Sequence, residues 1–452
     1  MQVHFIAIGG SVMHNLAIAL HKKGYTITGS DDSIFDPSYS KLKAYGLLPQ
    51  TEGWNTDKIH TNLDAVILGM HAKPENPELQ KAKELGLKIY SFPEYLYEQT
   101  KDKKRIVIGG SHGKTTITSM VMHVLRENNI SFDYMVGSQI SGFETMVHLD
   151  QNNEIAVFEG DEYLSSPIDE RPKFHQYKPH VALLSGIAWD HINVFPTFEN
   201  YKKQFSVFIE KIETDGSLIY YKEDKALNNI VQNSREDIQK IPYQTPTYTY
   251  RNEQSFLLTG EEEIPLQVFG RHNLSNIEGA RLICNQAGID DKAFYKSIQT
   301  FEGASKRLQL IRENDHSKVF LDFAHAPSKV KATVDAAKEQ YPDKTLIAAL
   351  ELHTFSSLTA EFLHQYKGTM EKAEHAFVYY NPKAIKHKGL KMIEPEEVKK
   401  AFGGSNIKVF TDIYEVTEEI QLLNVSEKII LVMSSGNLGG LNIEQAADEL
   451  IR

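Results

Sequence analysis

Eight residues, Gly109-Gly110-Ser111-His112-Gly113-Lys114-Thr115-Thr116, restrict what this chain can fold into more than any other stretch. The apolar run Arg105-Ile106-Val107-Ile108 comes directly before them, and a helix-forming run from Ile117 to Leu125 follows. Strand, glycine turn, Lys-Thr and helix in that order make a phosphate cradle. Glycines let backbone N–H groups approach phosphate oxygens, and the helix start adds partial positive charge. Lys114 then reaches the terminal phosphates, and the Thr115 hydroxyl serves Mg²⁺. The usual eight-residue pattern places its first glycine where Ile108 stands, so this loop is a short form. The alternative is a glycine turn before an ordinary helix.

Length and charge narrow the setting. At 452 residues the chain has room for about three domains of roughly 150 residues. A hydrophobic content of 41% supplies buried cores and speaks against general disorder. The net charge of −11 argues against a nucleic-acid footprint or a polybasic membrane surface. A cleft lined by helix starts and a few cations can still take an anionic nucleotide. Cys284 is the only cysteine, so no intramolecular disulfide is possible and a reducing compartment fits. No apolar run approaches the ~20 residues of a membrane span. The expectation is a cytoplasmic protein without membrane insertion.

Apolar runs alternate with helical segments along the chain, the pattern of parallel sheets with crossover helices. Strands are expected near 3–8, 26–29, 65–68 and 88–90, then 155–158 and 181–184, and later at 319–323, 345–349, 376–379, 408–410 and 428–433. Helices are expected at 14–23, 77–85, 198–212, 273–287, 291–301, 327–340, 359–370, 395–402 and 414–422. The fold class is therefore α/β, with three domains in series. These are a Rossmann-like unit over 1–102, a central P-loop ATPase-type unit over 103–307, and a C-terminal Rossmann-like unit over 308–452.

Several constellations could carry chemistry. Glu159-Gly160-Asp161-Glu162 follows the strand at 155–158, where α/β sheets bind ligands, and its carboxylate oxygens suit Mg²⁺. A solvated acidic turn is the alternative. His191 in Trp189-Asp190-His191 could serve a second cation or be structural. Gly270-Arg271-His272-Asn273-Leu274-Ser275-Asn276 opens a helix with Asn273 and Asn276 one turn apart. Their amides can read an adenine edge, or Asn273 can cap the helix. Arg307 could steady a transferring phosphoryl group or form a surface pair. Asp322 and His325 end a strand where ribose or phosphate would be met, although Pro327 there is also a good helix start. Near the N-terminus, Gly9-Gly10-Ser11 and then Ser30-Asp31 form an incomplete diphosphate fingerprint, with Val12 at the third glycine position.

Together and in this order these pieces resemble the Mur ligase family of peptidoglycan biosynthesis, over nearly the whole chain. The loop Gly110–Thr116 with its His112 matches the family's short form, and the stretch from Gly270 to Asn276 matches its adenine motif. Lys306-Arg307 and Asp322-Phe323-Ala324-His325 match the motifs for the γ-phosphate and the ribose. The resemblance implies ATP-dependent amide synthesis through an acyl phosphate, with UDP-N-acetylmuramate as the acid and an amino acid or peptide as the amine. It implies that Gly110, Ser111, His112, Gly113, Lys114, Thr115, Thr116, His272, Asn273, Asn276, Arg307, Asp322 and His325 serve ATP. Lys114, His191 and Arg307 would be catalytic, and Thr115, Glu159 and His191 would hold two Mg²⁺ ions. Gly9, Gly10, Ser11, Ser30, Asp31 and His71 would meet the UDP-sugar.

Within the family, the N-terminal turn points to members whose amine is either L-alanine or the tripeptide L-alanyl-γ-D-glutamyl-meso-diaminopimelate, the latter in cell-wall recycling. The longer stretch from Tyr163 to Tyr177, Val12, and the close Met433-Ser434-Ser435-Gly436-Asn437-Leu438-Gly439-Gly440 are similar to the tripeptide branch. Glu351-Leu352-His353 replaces an arginine-containing stretch linked to the amine, which leaves His353 as the amine-side candidate. Phe205 stands where some members carry a carbamylated lysine, so that modification is not expected.

Overall fold

Burial on both faces of the first sheet explains the apolar content of its two middle strands. In β1 (Gln2–Ile6), Val3 and Phe5 join one buried cluster while Ile6 joins another on the opposite face. β3 (Ala65–Leu68) divides in the same way, with Ala65 and Ile67 on one side and Val66 and Leu68 on the other. Both faces are covered, so a side chain there is apolar or, like buried His4 beside Glu78, hydrogen-bonded. With β2 (Thr26–Ser30) and β4 (Ile89–Ser91) these strands form a parallel sheet in the order β2-β1-β3-β4. The computed structural model describes residues 1–191, 194–260 and 262–451.

This sheet belongs to one compact unit, Met1–Gln244 with Glu278–Ser297. The same unit holds a seven-stranded sheet in the order β13-β12-β11-β5-β8-β6-β7. Its strands are β5 (Lys104–Gly109), β6 (Asp133–Met135), β7 (Val147–His148), β8 (Ile155–Glu159), β11 (Val181–Leu184), β12 (Ser217–Tyr221) and β13 (Gln239–Tyr243), and only β7 runs antiparallel to its neighbour. β5 is the middle strand, flanked by β11 and β8. The glycine loop therefore leaves the carboxyl end of the central strand with the acidic motif beside it. Between β8 and β11 lies an antiparallel hairpin, β9 (Leu164–Ser166) and β10 (Asp169–Pro172), which the sequence reading did not resolve.

The second unit, Thr245–Ile277 with Ile298–Arg452, holds two further sheets. β14 (Tyr248–Arg251), β15 (Gln254–Leu258) and β16 (Glu263–Leu266) form an antiparallel meander. β17 (Gln309–Glu313), β18 (Ser317–Asp322), β19 (Thr345–Leu352), β20 (His375–Tyr380), β21 (Ile407–Phe410) and β22 (Lys428–Met433) form a sheet in the order β17-β18-β22-β19-β20-β21. Only the edge strand β17 is antiparallel. The helix expected over 359–370 is shorter, Ala360–Leu363 followed by a tight turn His364–Tyr366. Tyr366 is buried, stacks on Phe402 with ring centroids 4.9 Å apart, and sends its hydroxyl to the His325 carbonyl. Gly368 then adopts φ +74, which ends any continuation.

Candidate functional site

The helix Lys114–Glu127 starts from Gly113 in the left-handed region (φ +73) and carries no side-chain cap. Glycine is needed there because an L side chain is strained at that φ. Capping by a side chain would occupy N–H groups that a phosphate could otherwise take. Ser185, just past β11, reaches the carbonyls of Gly109 and His112 and ties the loop to the sheet edge.

Around this loop the charges pair among themselves. Lys114 Nζ donates to Glu162 Oε2 at 2.7 Å and to the Gly110 carbonyl at 2.8 Å. Burial opposes the ammonium charge, but Glu162, Asp161 and Glu159 outweigh it and hold Lys114 above the usual lysine range. Asp161 pairs with Lys173. Burial would push that carboxyl up, yet Lys173 and Lys114 hold it well below the ordinary aspartate value. Thr115 Oγ1 donates to Glu159 Oε1 at 2.8 Å, and the Gly137 N–H donates to Glu159 Oε2 at 2.8 Å. Thr116 is buried beside them. His191 lies 3.8 Å from Glu162 Oε1, its backbone at φ +54 and its ring edge-on to Tyr163.

The structure thus gathers Lys114, Thr115, Glu159 and His191, and adds two residues the sequence did not single out. Glu162, 1% exposed, is the lysine's partner. Tyr201, on the helix Phe198–Glu210, joins Glu162 and Ser111 through its hydroxyl. Glu162 sat in a motif already flagged. Tyr201 carried no signal, because at helical spacing with Phe205 and Phe208 it reads as core. Among the described residues no group of three His, Cys, Asp or Glu is arranged to hold a metal on its own. Thr115 and Glu159 are adjacent hard oxygen donors, which fits Mg²⁺, a cation that keeps waters and shares substrate phosphates.

In the first sheet, the turn after β1 is closed by Gly9 N–H donating to Asp31 Oδ2 at 2.7 Å. Burial raises the Asp31 carboxyl above its usual range, against the pull of that amide and of His71 nearby. Gly10 precedes the helix Ser11–Lys22, which also lacks a side-chain cap. Ser30 is fully buried, and Lys58 Nζ donates to its hydroxyl at 3.0 Å, so its side chain faces the interior. His71 is exposed.

The strand β10 carries ion pairs of its own. Arg171 chelates Asp169 and also reaches Glu94, at the start of the helix Phe92–Thr100. Lys173 returns from the hairpin to Asp161.

The second unit gathers the remaining candidates. Asn273 does not cap its helix. It lies within the first turn of Arg271–Gln286 and donates to the Phe269 carbonyl at 2.9 Å. Asn273 and Arg307 line a cavity of about 250 Å³ together with Phe269 and Tyr341. The Arg307 guanidinium lies 4.7 Å over the Phe323 ring. Asp322 accepts from the Leu308 and Ala324 N–H groups, both at 2.7 Å. Burial nonetheless raises its carboxyl above the usual range, with Arg307 pulling the other way. Desolvation pushes His272 down to about 4, and the charge of Arg307 adds to this. His325 Nδ1 contacts the Phe323 carbonyl at 2.9 Å. At the ends of β19 and β22, Glu351 is buried and accepts from Ser434 Oγ and from Leu438 N–H, with His353 Nδ1 at 3.7 Å. Gly436 approaches so closely that a Cβ there would meet His353 and Glu351.

Fold and site define an α/β enzyme with a phosphate loop at the carboxyl edge of a parallel sheet. Three family descriptions match successive parts of the chain: "Mur ligase family, catalytic domain" over residues 2–104, "Mur ligase middle domain" over 108–284, and "Mur ligase, glutamate ligase domain" over 306–436. A UDP-N-acetylmuramate–L-alanine ligase from a Sulfurihydrogenibium species is 31% identical over 80% of this chain and 78% of its own. Among solved structures, a murein peptide ligase from Psychrobacter arcticus aligns with a TM-score of 0.66 at 22% identity, covering 100% of this chain and 99% of its own. The UDP-N-acetylmuramate–alanine ligase of Thermotoga maritima aligns at 0.70 and 18% identity, covering 100% and 98%. The chain belongs to the Mur ligase family and is an ATP-dependent, ADP-forming amide ligase of the three-domain α/β architecture. Among the described residues no helix is long and apolar enough to cross a membrane.

Proposed function

We propose that the chain joins the carboxylate of UDP-N-acetylmuramate to the amino group of L-alanyl-γ-D-glutamyl-meso-diaminopimelate, in peptidoglycan recycling. The observation that carries this choice is the hairpin β9–β10, inserted between Glu162 and β11, where the sequence resembles the tripeptide branch. A second reading, ligation of L-alanine, is favoured by the relative with 31% identity, which is named for that reaction. In either case residues 1–102 would hold the UDP-sugar through Gly9, Gly10, Ser11, Asp31 and His71. Buried Ser30 would act through the backbone around it. Residues 103–307 would hold ATP, and 308–452 the amine.

A carboxylate is a poor electrophile, and phosphorylation converts one of its oxygens into a leaving group. A carboxylate oxygen of the sugar attacks the γ-phosphorus and ADP departs. The amine then attacks the acyl carbonyl, phosphate leaves with the bridging oxygen, and the nitrogen gives up a proton. Two anions must approach in the first step, so cationic groups have to neutralise their repulsion. Lys114 at the loop would supply one such charge and Arg307 another. Gly110, Ser111, His112, Gly113 and Thr116 would contact phosphates. His272, Asn273 and Asn276 would meet adenine, and Asp322 and His325 the ribose. Thr115 and Glu159 would hold Mg²⁺ and His191 a second ion. When bound, these ions supply charge neutralisation at the phosphates. Glu351 and His353 would orient the amine. The cytoplasm is the proposed location, in keeping with the single free, buried Cys284.

The test is to supply the purified protein with ATP, Mg²⁺ and UDP-N-acetylmuramate, add either the tripeptide or L-alanine, and follow phosphate release and product mass. Turnover with the tripeptide is expected. Turnover with L-alanine alone would replace this reading by the second.

A further inference from the structure

We propose that Tyr201 is a positioning residue of the nucleotide site, acting through Glu162 to set where the Lys114 ammonium rests. The proposal rests on reading Gly110–Thr116 as the ATP loop. Tyr201 is fully buried on the helix Phe198–Glu210, and its ring packs edge-on to Phe205, with centroids 5.2 Å apart. Phenylalanine would pack equally well there, so the hydroxyl is what needs an explanation.

That hydroxyl is the middle link of a chain of hydrogen bonds. Ala188 N–H donates to Ser111 Oγ at 2.9 Å, Ser111 Oγ lies 2.9 Å from Tyr201 OH, and Tyr201 OH donates to Glu162 Oε1 at 2.9 Å. Glu162 Oε2 accepts from Lys114 at 2.7 Å. The direction of every proton follows from the two ends. An ionised carboxylate only accepts, so Tyr201 must give its proton to Glu162. The phenol oxygen then accepts from Ser111, whose own oxygen is free to take the Ala188 amide. A backbone amide on one side and a buried carboxylate on the other thus lock two hydroxyl rotors in one orientation.

The consequence concerns what Glu162 does when Lys114 turns to a phosphate. A carboxylate held only by the lysine would follow it and bring a negative charge toward the phosphates. With Oε1 held by the tyrosine, Glu162 stays in the wall and lets the ammonium leave. A hydrogen bond to a charged group is among the stronger kinds, enough for its loss to register in nucleotide affinity. His191 Nε2 lies 3.8 Å from the same oxygen.

Tyr201→Phe removes one oxygen and keeps the ring. Affinity for the non-hydrolysable imido analogue of ATP, measured by calorimetry, should fall about tenfold, while the KM for the UDP-sugar stays the same. In a Glu162→Gln background the same substitution should change affinity less than about twofold, because its route of action is gone. Independent, multiplying effects of the two changes would overturn the proposal. So would an unchanged affinity in Tyr201→Phe, or a lowered melting midpoint with equal losses for both substrates. Lys114→Ala separates the two levels. If it leaves the analogue's affinity intact, the loop is not the ATP site. If it weakens binding while Tyr201→Phe does not, only the role of Tyr201 fails.

Discussion

The phosphate-loop cluster and the cluster at the ends of β19 and β22 are both built at the carboxyl edge of a parallel sheet, yet they are made in opposite ways. At the loop, geometry comes from backbone: Gly113 at φ +73, an uncapped helix start, and a lysine four residues after Gly110. Side chains there pair with one another, Lys114 with Glu162 as ions and Thr115 with Glu159 through its neutral hydroxyl. At the other cluster a single buried carboxylate, Glu351, organises a loop by accepting from Ser434 and Leu438, and presents His353 beside it. The first arrangement suits a ligand common to a whole family, a polyphosphate. The second is one side chain deep, which suits the amine-side role proposed for it.

Substitutions should separate the two clusters by which substrate they affect. The largest loss is expected for Lys114→Ala. Removing the cation proposed to meet the transferring phosphoryl group should lower kcat by about a hundredfold to a thousandfold with either amine, read as ADP release. Glu159→Gln should come next. The Mg²⁺ concentration for half-maximal activity should rise at least about tenfold, with the KM for the amine unaltered. At the second cluster, Glu351→Gln should raise the amine KM by about tenfold and leave the ATP KM within a factor of about two. Equal effects on both substrates would erase the distinction between the clusters.

The smallest effect concerns pH and stability. His272 is held down to about 4 when folded and returns to an ordinary value near 6.5 when unfolded. As pH falls through that window the unfolded chain binds a proton first, so the neutral imidazole's contribution to stability is lost between about 6.5 and 4. His272→Gln should flatten the acid side of the melting-midpoint profile over that range and leave it unchanged above neutrality.

Much of this was legible in the sequence, for reasons that differ by element. β3, β11 and β22 were bounded correctly because strands buried on both faces write a continuous apolar run. The loop was legible because glycine and Lys-Thr at fixed spacing encode a backbone shape. The hairpin β9–β10 was not, since its strands of three and four residues are polar and are joined by Ser165 Oγ donating to the Arg171 carbonyl rather than by an apolar face. Asn273 was open between two roles, and only its place inside the first turn of Arg271–Gln286 excludes capping. Tyr201 was hidden because burial and helical spacing describe its ring and say nothing about its hydroxyl.

The most direct measurement follows the oxygen. UDP-N-acetylmuramate carrying a heavy-oxygen label in its carboxylate is turned over with ATP, Mg²⁺ and the accepted amine, and the released phosphate is analysed by mass. If the carboxylate is phosphorylated before the amine attacks, one labelled oxygen appears in the phosphate. Phosphate released without label, alongside amide product, would contradict the account.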